Sequence, residues 1–399
     1  MIAAAVAILN VTLIDGTGAP PKLNQTVLVR NGKIFSIGPS QEGESRRIRA
    51  RLKPGETLEL LSGDGKYLIP GLWDMHAHVL PDAADSLLRW GITGVRNMHV
   101  EAEDAIRLAL EAKRRDTGPR IVTNGVIIDG PNPVYWASAR AVDRASAMEI
   151  ARRAKQYGLD FLKVYDFVPR EAYFALAEES KRTGLPLTGH VPLAVRLDEA
   201  VAAGQKSIEH LSGIFEACSS EPKLLEDLRS AAMLWTLSRR ESSRRLRDVL
   251  LKMIASYDAS ICEPLLRMLA QNKVWQCPTL VALGPPARQA ALSLVGQMHR
   301  MGVPLLAGTD AGSGGITPGE SLHEELELLV RAGLTAMEAL QTATLGPAQF
   351  LGEQSQFGTV EKGRLADLVL LDANPLEDIR NTRRIAAVIS RGRVVVSVP

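Results

Sequence analysis

Residues 161–210 of the chain read FLKVYDFVPREAYFALAEESKRTGLPLTGHVPLAVRLDEAVAAGQKSIEH. Short apolar runs at 161–165, 187–190 and 207–210 predict strands, and they alternate with longer helical patterns. Gly184 stands at the end of the first helical pattern, where glycine readily adopts the left-handed backbone that ends a helix. Strands that alternate with helices in this way are typical of βα units in a parallel sheet.

The same alternation extends over most of the chain. Strands are predicted to end at His78, Met98, Ile128, Tyr165, His190, His210, Leu280 and Asp310. Eight parallel strands, each followed by a helix, define a TIM barrel. We therefore predict an α/β fold with a (β/α)8 TIM barrel over residues 69–354. The interval 215–274 is too long for a single connection and predicts a helical insertion, which is either a substrate lid or an element that packs on the barrel or contacts another subunit.

The two ends of the chain show a different pattern. Residues 1–68 contain short strand signals separated by turns, including the pair Asn31-Gly32, which is typical of a tight hairpin. Residues 355–399 repeat this pattern. We predict that 1–68 and 355–399 together form a small composite β-sandwich domain beside the barrel.

Composition narrows the classes of function. The formal net charge of +2 and the lack of a basic stripe interleaved with aromatic residues argue against a nucleic-acid partner. No apolar run approaches the ~20 residues that cross a bilayer, so no membrane partner is expected. Cys218, Cys262 and Cys277 are too few and too scattered for a disulfide framework, and we expect reduced, structural thiols. A cytoplasmic location is expected, with export after removal of a signal peptide as the alternative, and a homo-oligomer is the common expectation.

Potential metal ligands stand at the predicted strand ends. In His76-Ala-His78 the two imidazoles point the same way along an extended segment, so both can reach one metal ion. Lys163, His190, His210 and Asp310 follow in order, each at the end of a short apolar run. Because the C-terminal ends of barrel strands converge on one mouth, this series predicts a metal centre there.

These residues, in this order on a barrel flanked by split β-segments, resemble the amidohydrolase superfamily. The tail from Gly358 to Val369 and the early Pro70-Gly71-Leu72 are also similar to that superfamily. Gly-Thr-Asp310-Ala-Gly and the run Leu322-His-Glu-Glu-Leu326 resemble its imidazolonepropionase-like and dipeptidase-like branch, which includes prolidase-type and ochratoxin-cleaving amidases.

The resemblance implies a binuclear zinc site, with manganese, iron or cobalt as alternative metals. His76, His78 and Asp310 would hold one ion, and His190 and His210 would hold the other. Lys163 would bridge the two ions as a carbamate derived from carbon dioxide, because a plain ammonium group cannot ligate a cation.

Such a site predicts hydrolysis of an amide bond by a metal-activated hydroxide. Asp310 would act as general base and then as general acid, although an aspartate at this turn could also cap the following helix. The expected substrate is a small-molecule amide, either a dipeptide or an N-acyl amino acid, and ochratoxin-like amides fit the same site. Alternatives are a cyclic amide, lactone or phosphoester hydrolase on the same site, or a catalytically silent ligand-binding scaffold.

Two further residues have open roles. Tyr165 faces the same side of its strand as Lys163, so it either donates a hydrogen bond to the reacting oxygen or makes a structural one. His323 either contacts substrate or is a structural residue at a helix end.

Overall fold

A computed structural model describes residues 4–79, 85–99 and 104–397 of the chain. The described strands are β1 (Ala4–Leu13), β2 (Lys22–Arg30), β3 (Lys33–Pro39), β4 (Thr57–Ser62), β5 (Tyr67–Pro70), β6 (Leu72–Ala77), β7 (Ile92–Asn97), β8 (Arg120–Thr123), β9 (Ile128–Asp129), β10 (Ala139–Arg140), β11 (Leu162–Val164), β12 (Leu187–Gly189), β13 (Ser207–Glu209), β14 (Trp275–Cys277), β15 (Leu368–Leu371), β16 (Ile385–Ser390) and β17 (Arg393–Ser397).

Helices separate most of the central strands. The described α-helices are α1 (Glu44–Ala50), α2 (Ala105–Arg114), α3 (Arg144–Tyr157), α4 (Arg170–Thr183), α5 (Leu197–Ala203), α6 (Ile214–Ala217), α7 (Lys223–Met233), α8 (Arg239–Ala255), α9 (Ala259–Gln271), α10 (Pro285–Arg300), α11 (Glu320–Arg331), α12 (Ala336–Thr342) and α13 (Leu345–Leu351). Short 3-10 helices span Leu88–Trp90, Leu234–Thr236, Leu280–Ala282 and Ile379–Arg383. No helix within the described ranges is long and apolar enough to cross a membrane.

Strands from both ends of the chain share one sheet. Its order is β17-β16-β15-β5-β1-β2-β3, and β4 pairs in parallel with β1. The antiparallel pair β5 and β15 joins the two ends, with buried Leu68 opposite buried Leu370. The predicted hairpin is confirmed between β2 and β3, where Asn31 and Gly32 both have positive φ (52° and 73°), as a tight hairpin turn requires.

The central strands pair in parallel. They form the sheets β6-β7-β8, β10-β9-β11-β12 and β13-β14. Backbone hydrogen bonds connect these sheets, for example from the amide of Lys206 to the carbonyl of Leu187 at 2.7 Å. The parallel βα pattern confirms the predicted α/β class.

Two predicted strand ends are wrong. Strand β8 already ends at Thr123, since a turn through Gly125 (φ 73°) follows, and Ile128 begins the separate short strand β9. Strand β14 ends at Cys277 rather than Leu280, because Thr279 adopts a left-handed φ of 48° and a 3-10 helix begins next.

The predicted last strand, ending at Asp310, is not a regular strand. Leu305 forms an isolated bridge with Gln276, and Ala311 forms one with Ala77. The ladder is interrupted because the amides of Thr309 and Asp310 both point at the carbonyl of His76.

The interval 215–274 is helical, as predicted, but one cysteine prediction is wrong. Cys218, just after α6, and Cys262, in α9, form a disulfide, while Cys277 is free and buried. The packing of the insertion's helices brings the two thiols together across 44 residues of sequence, so their spacing alone gave no sign of the bond.

Candidate metal centre

All six predicted ligands lie in one cluster. Asp310 Oδ1 is 2.9 Å from His78 Nε2 and 3.3 Å from His76 Nε2. Lys163 Nζ lies 3.2 Å from the same nitrogen of His76. His76 lies on β6 and Lys163 lies on β11. Asp310 lies on the irregular segment after β14, which runs next to β6.

His190 and His210 complete the cluster. The rings of His76 and His210 have centroids 4.5 Å apart, and those of His190 and His210 are 5.1 Å apart. These residues directly follow β12 and β13, at the same ends of the parallel strands as the others. The convergence expected from the strand-end pattern is therefore present.

Backbone geometry at the cluster is unusual. Asp310 and His210 both have positive φ, 61° and 58°, which is costly for residues with a side chain. Gly308 allows the last segment to approach β6 closely, because a Cβ at this position would lie 2.7 Å from His76 Cβ. Such local strain is typical of functional sites, where the surrounding structure holds it in place.

A buried ion pair holds His76 from behind. His76 Nδ1 is 2.9 Å from Glu209 Oε2, and Arg96 Nη2 donates to the same oxygen at 2.7 Å. Ser207 Oγ donates to the other oxygen of Glu209 at 2.6 Å. Burial would raise the pKa of Glu209, but Arg96 and His76 outweigh it and hold this pKa below its usual range. An anionic Glu209 fixes the His76 tautomer with Nδ1 protonated and Nε2 free to bind a metal.

His190 is oriented by a carboxylate nearer the surface. Its Nδ1 lies 2.7 Å from Asp166 Oδ1, and its Nε2 is buried without a hydrogen-bond partner among the described residues. A buried ring nitrogen rarely stays unpaired, whereas a histidine that binds a metal uses one nitrogen for the ion and gives the other N–H to a carboxylate. The donor set therefore fits a metal ion.

His210 is oriented by a hydroxyl group. Its Nδ1 lies 2.7 Å from Thr279 Oγ1, which itself donates to the carbonyl of Pro278 at 2.8 Å. Because the Thr279 hydrogen is committed to Pro278, the hydroxyl oxygen accepts from the Nδ1–H of His210. Nε2 of His210 then has its lone pair available for a metal.

A buried aspartate fixes the loop that carries Asp310. Asp74 Oδ2 accepts a hydrogen bond from the Thr309 hydroxyl at 2.6 Å, and Asp74 Oδ1 accepts one from the Thr309 amide at 3.2 Å. Burial raises the pKa of Asp74 to about 6, and the hydrogen bonds from Thr309 and His76 oppose that rise. Asp74 thus positions the residue directly before Asp310.

The electrostatics of the cluster suit cation binding. Burial lowers the pKa of Lys163 to about 8 and that of His78 to about 4, so the imidazole is neutral at pH 7. Burial favours a protonated Asp310, but His210, His76 and His78 hold its pKa well below the usual range. A carboxylate and neutral imidazoles are the forms in which these groups bind metals.

Sequence reasoning missed the residues that orient the ligands: Arg96, Glu209, Asp166, Thr279 and Asp74. Arg96 carried a usable signal, because an arginine inside the apolar strand β7 has to be paired when it is buried. The others are ordinary polar residues near strand ends, and only the fold brings them to their partners.

The structure distinguishes the roles of His323 and Tyr165, which the sequence left undecided. His323 is fully buried, with Nδ1 2.8 Å from Thr382 Oγ1 and Nε2 3.1 Å from the carbonyl of Trp90, so its role is structural. The ring of Tyr165 lies 4.0 Å from that of His190, at the cluster. Burial raises the pKa of Tyr165, which keeps the phenol protonated and able to donate a hydrogen bond.

Comparison with known proteins identifies the family. The sequence pattern of the Amidohydrolase family matches residues 67–395, and the chain belongs to that family. It is a hydrolase that acts on carbon–nitrogen bonds.

The relatives agree with this assignment. The chain is 23% identical to an ochratoxinase of Aspergillus niger, over 92% of this chain and 81% of that protein. It is also 23% identical to an imidazolonepropionase of Symbiobacterium thermophilum, over 92% of this chain and 89% of that protein. A solved structure of a Xaa-Pro dipeptidase with bound methionine in its active site has a TM-score of 0.71 and 19% identity, covering 98% of this chain and 99% of the other. The fold is thus TIM-barrel-like, as predicted.

Proposed function

We propose that the protein is a binuclear zinc-dependent amidohydrolase that cleaves the amide bond of a dipeptide or an N-acyl amino acid. The convergence of the six strand-end residues carries this proposal, because His190 keeps a buried, unpartnered Nε2 within a cluster that also holds a carboxylate. The ochratoxinase relative supports including ochratoxin-like amides in the substrate range.

Six residues would hold the metals. His76, His78 and Asp310 would hold one ion, His190 and His210 would hold the other, and a carbamate on Lys163 would bind both. Three of these side chains, those of His76, His78 and Asp310, have donor atoms within 4.8 Å of one another. When bound, the zinc pair activates a water molecule and polarises the carbonyl group of the substrate.

Asp310 would move the proton of the reaction. Its carboxylate accepts a proton from the attacking water as the new carbon–oxygen bond forms, and it delivers this proton to the nitrogen as the carbon–nitrogen bond breaks. The products are a carboxylic acid and an amine. Tyr165, protonated and next to His190, is placed to donate a hydrogen bond to the carbonyl oxygen as negative charge develops there.

We also propose that the parallel strands close into an eight-stranded barrel and that 1–68 and 355–399 form one composite domain. Two hydrogen bonds support closure: Leu306 N donates to Gln276 O at 2.8 Å, and Met75 N donates to Ala307 O at 2.9 Å. The sheet shared by the two chain ends supports the composite domain.

The cellular setting is a separate part of the proposal. The Cys218–Cys262 disulfide favours the exported alternative over a cytoplasmic one, because disulfides persist mainly in oxidising compartments. A small-molecule partner and a homo-oligomeric state remain predictions.

The test is turnover with a matched silent variant. Protein reconstituted with zinc and bicarbonate is screened against dipeptides and N-acyl amino acids, and Asp310→Asn is expected to lower kcat by about 10²–10⁴-fold on any substrate found. The melting temperature of the metal-free protein should stay close to that of wild type, and zinc content is measured in parallel because Asp310 is itself a proposed ligand. If neither the wild type nor Asp310→Asn cleaves the compounds that the protein binds, the protein is a silent scaffold and the proposed function is wrong.

A further inference from the structure

A cavity of about 660 Å³ opens beside the metal centre. One wall is the loop 166–170, which follows the strand that carries Lys163, and another contains Leu193, soon after His190. Asp166 belongs to both places, because it lines the cavity and lies 2.7 Å from His190 Nδ1. The cavity therefore adjoins the His190 side of the candidate metal centre.

The remaining wall comes from the helical insertion. Met233 at the end of α7 and the neighbouring Trp235 line the cavity together with Phe167 and Leu193. These four large apolar side chains make a surface suited to a bulky or aromatic group. The insertion thus contributes to a binding cavity, which is what the lid interpretation requires.

Two arginines line the cavity, and they differ in whether a carboxylate of the protein already pairs with the guanidinium group. Arg170 forms a two-pronged ion pair with Glu199, with bonds of 2.6 and 2.5 Å, so its charge is offset. Arg229, on α7, donates from Nε to the carbonyl of Leu193 at 2.9 Å, and no ion pair of Arg229 is found within the described residues. The carboxylate of Asp166 is directed at His190 rather than at Arg229.

We propose that this cavity binds a bulky apolar group that carries a carboxylate, and that Arg229 is the specificity residue that binds the carboxylate. This proposal rests on the proposed function, because it treats the cavity as a substrate subsite of the amide hydrolase. The Leu193 contact fixes the guanidinium at the cavity wall and leaves its terminal nitrogens to form a charge-assisted pair.

The test measures binding without turnover. The probes are 3-phenylpropionate and the neutral 3-phenylpropan-1-ol, which contain no amide bond, titrated by calorimetry into the zinc-reconstituted protein. Wild type should bind the acid about tenfold more tightly than the alcohol, as expected for one charge-assisted pair. Arg229→Gln should remove this preference, and Arg229→Lys should keep part of it, because lysine retains the charge but lacks the planar fork.

Arg247→Gln is the matched control. Arg247 is exposed on α8 of the same insertion and does not line the cavity, so the variant makes the same charge change elsewhere. It should bind both probes like wild type. Equal binding of acid and alcohol by wild type, an acid preference that survives in Arg229→Gln through direct binding to zinc, or an equal loss in Arg247→Gln would overturn the proposal. A protein that cleaves amides but shows no Arg229-dependent preference would retain the proposed function and lose this inference.

Discussion

The two groups of predicted ligands are held in different ways. His76 is backed by Glu209 and Arg96, and all three side chains are fully buried. His190 is backed by Asp166, whose side chain is 34% exposed and lies on a loop that lines the cavity. His76 is thus anchored in the packed core, while His190 in the other half is anchored by a loop that lines the cavity.

Because of this difference, substitutions behind His76 should mainly change stability, whereas substitutions behind His190 should mainly change metal binding. A change behind His76 leaves a buried charge unpaired and should destabilise the whole protein. A change to Asp166, which lies behind His190, leaves no fully buried charge unpaired because the Asp166 side chain is partly exposed to water. It should therefore act mainly on metal binding. Four variants test this division, and Lys163 stands where the two halves meet.

Lys163→Ala is expected to have the largest effect on function. Loss of the bridging group should remove most of the bound metal and the activity from both halves, with the fold retained, because the carbamate serves both ions. Elemental analysis and thermal unfolding measure the two effects. Short carboxylic acids should restore part of the activity, and full metal content together with full activity in this variant would contradict the bridge.

Arg96→Met should have the largest effect on stability. Glu209 would be left as a buried carboxylate without its cationic partner, at a cost of about 3–5 kcal/mol in the free energy of unfolding. Urea unfolding of the metal-free protein measures this loss. Arg107→Met, at an exposed arginine that pairs with Asp104 and Glu111, should change stability by less than about 0.5 kcal/mol. If the two variants were equally stable, the core half would not be anchored by this ion pair.

Asp166→Asn should act on the loop half. The amide cannot orient His190 as the carboxylate does, so zinc affinity should fall by about 10–100-fold while the free energy of unfolding of the metal-free protein changes little. Competition with a chromophoric zinc chelator measures the affinity. Asp198→Asn, at an exposed aspartate paired with Arg196, is the control and should bind zinc like wild type. A large loss of stability in Asp166→Asn would remove the distinction between the halves.

Thr279→Val should have the smallest effect. The β-branched shape is kept, but His210 Nδ1 loses its hydrogen-bond acceptor, which is worth about 1 kcal/mol in zinc affinity. Thr279→Ser keeps the hydroxyl group and should bind zinc more tightly than Thr279→Val in the same competition assay. Equal affinities for the valine and serine variants would mean that the hydroxyl group does not orient His210.

The ligand cluster could be predicted from the sequence because it follows from two simple rules. Side chains two apart on a strand share a face, and the ends of parallel strands meet, so His76, His78 and Lys163 were expected close to His190 and His210. The orienting residues could not be predicted in this way. Arg96 and Glu209 are 113 positions apart in the sequence, and their pairing depends on how β7 and β13 pack inside the fold.

The errors in the predicted strand ends come from local backbone geometry, and the error in the cysteine prediction comes from helix packing. The strand predicted to end at Leu280 is cut short because Thr279 adopts positive φ. The strand predicted to end at Asp310 is irregular because the amides of Thr309 and Asp310 both point at the carbonyl of His76. The disulfide between Cys218 and Cys262 depends on where the helices of the insertion pack. Periodicity reports which residues share a face, but it does not report these contacts.

The number of metal ions per chain tests the central claim most directly. Wild-type protein would be reconstituted with zinc and bicarbonate and desalted to remove unbound metal. Elemental analysis would then give the zinc, manganese, iron and cobalt content per chain. Two ions per chain are predicted, one for each half of the centre. One ion per chain would contradict the bridged binuclear site, and no bound metal after reconstitution would contradict the metal centre itself.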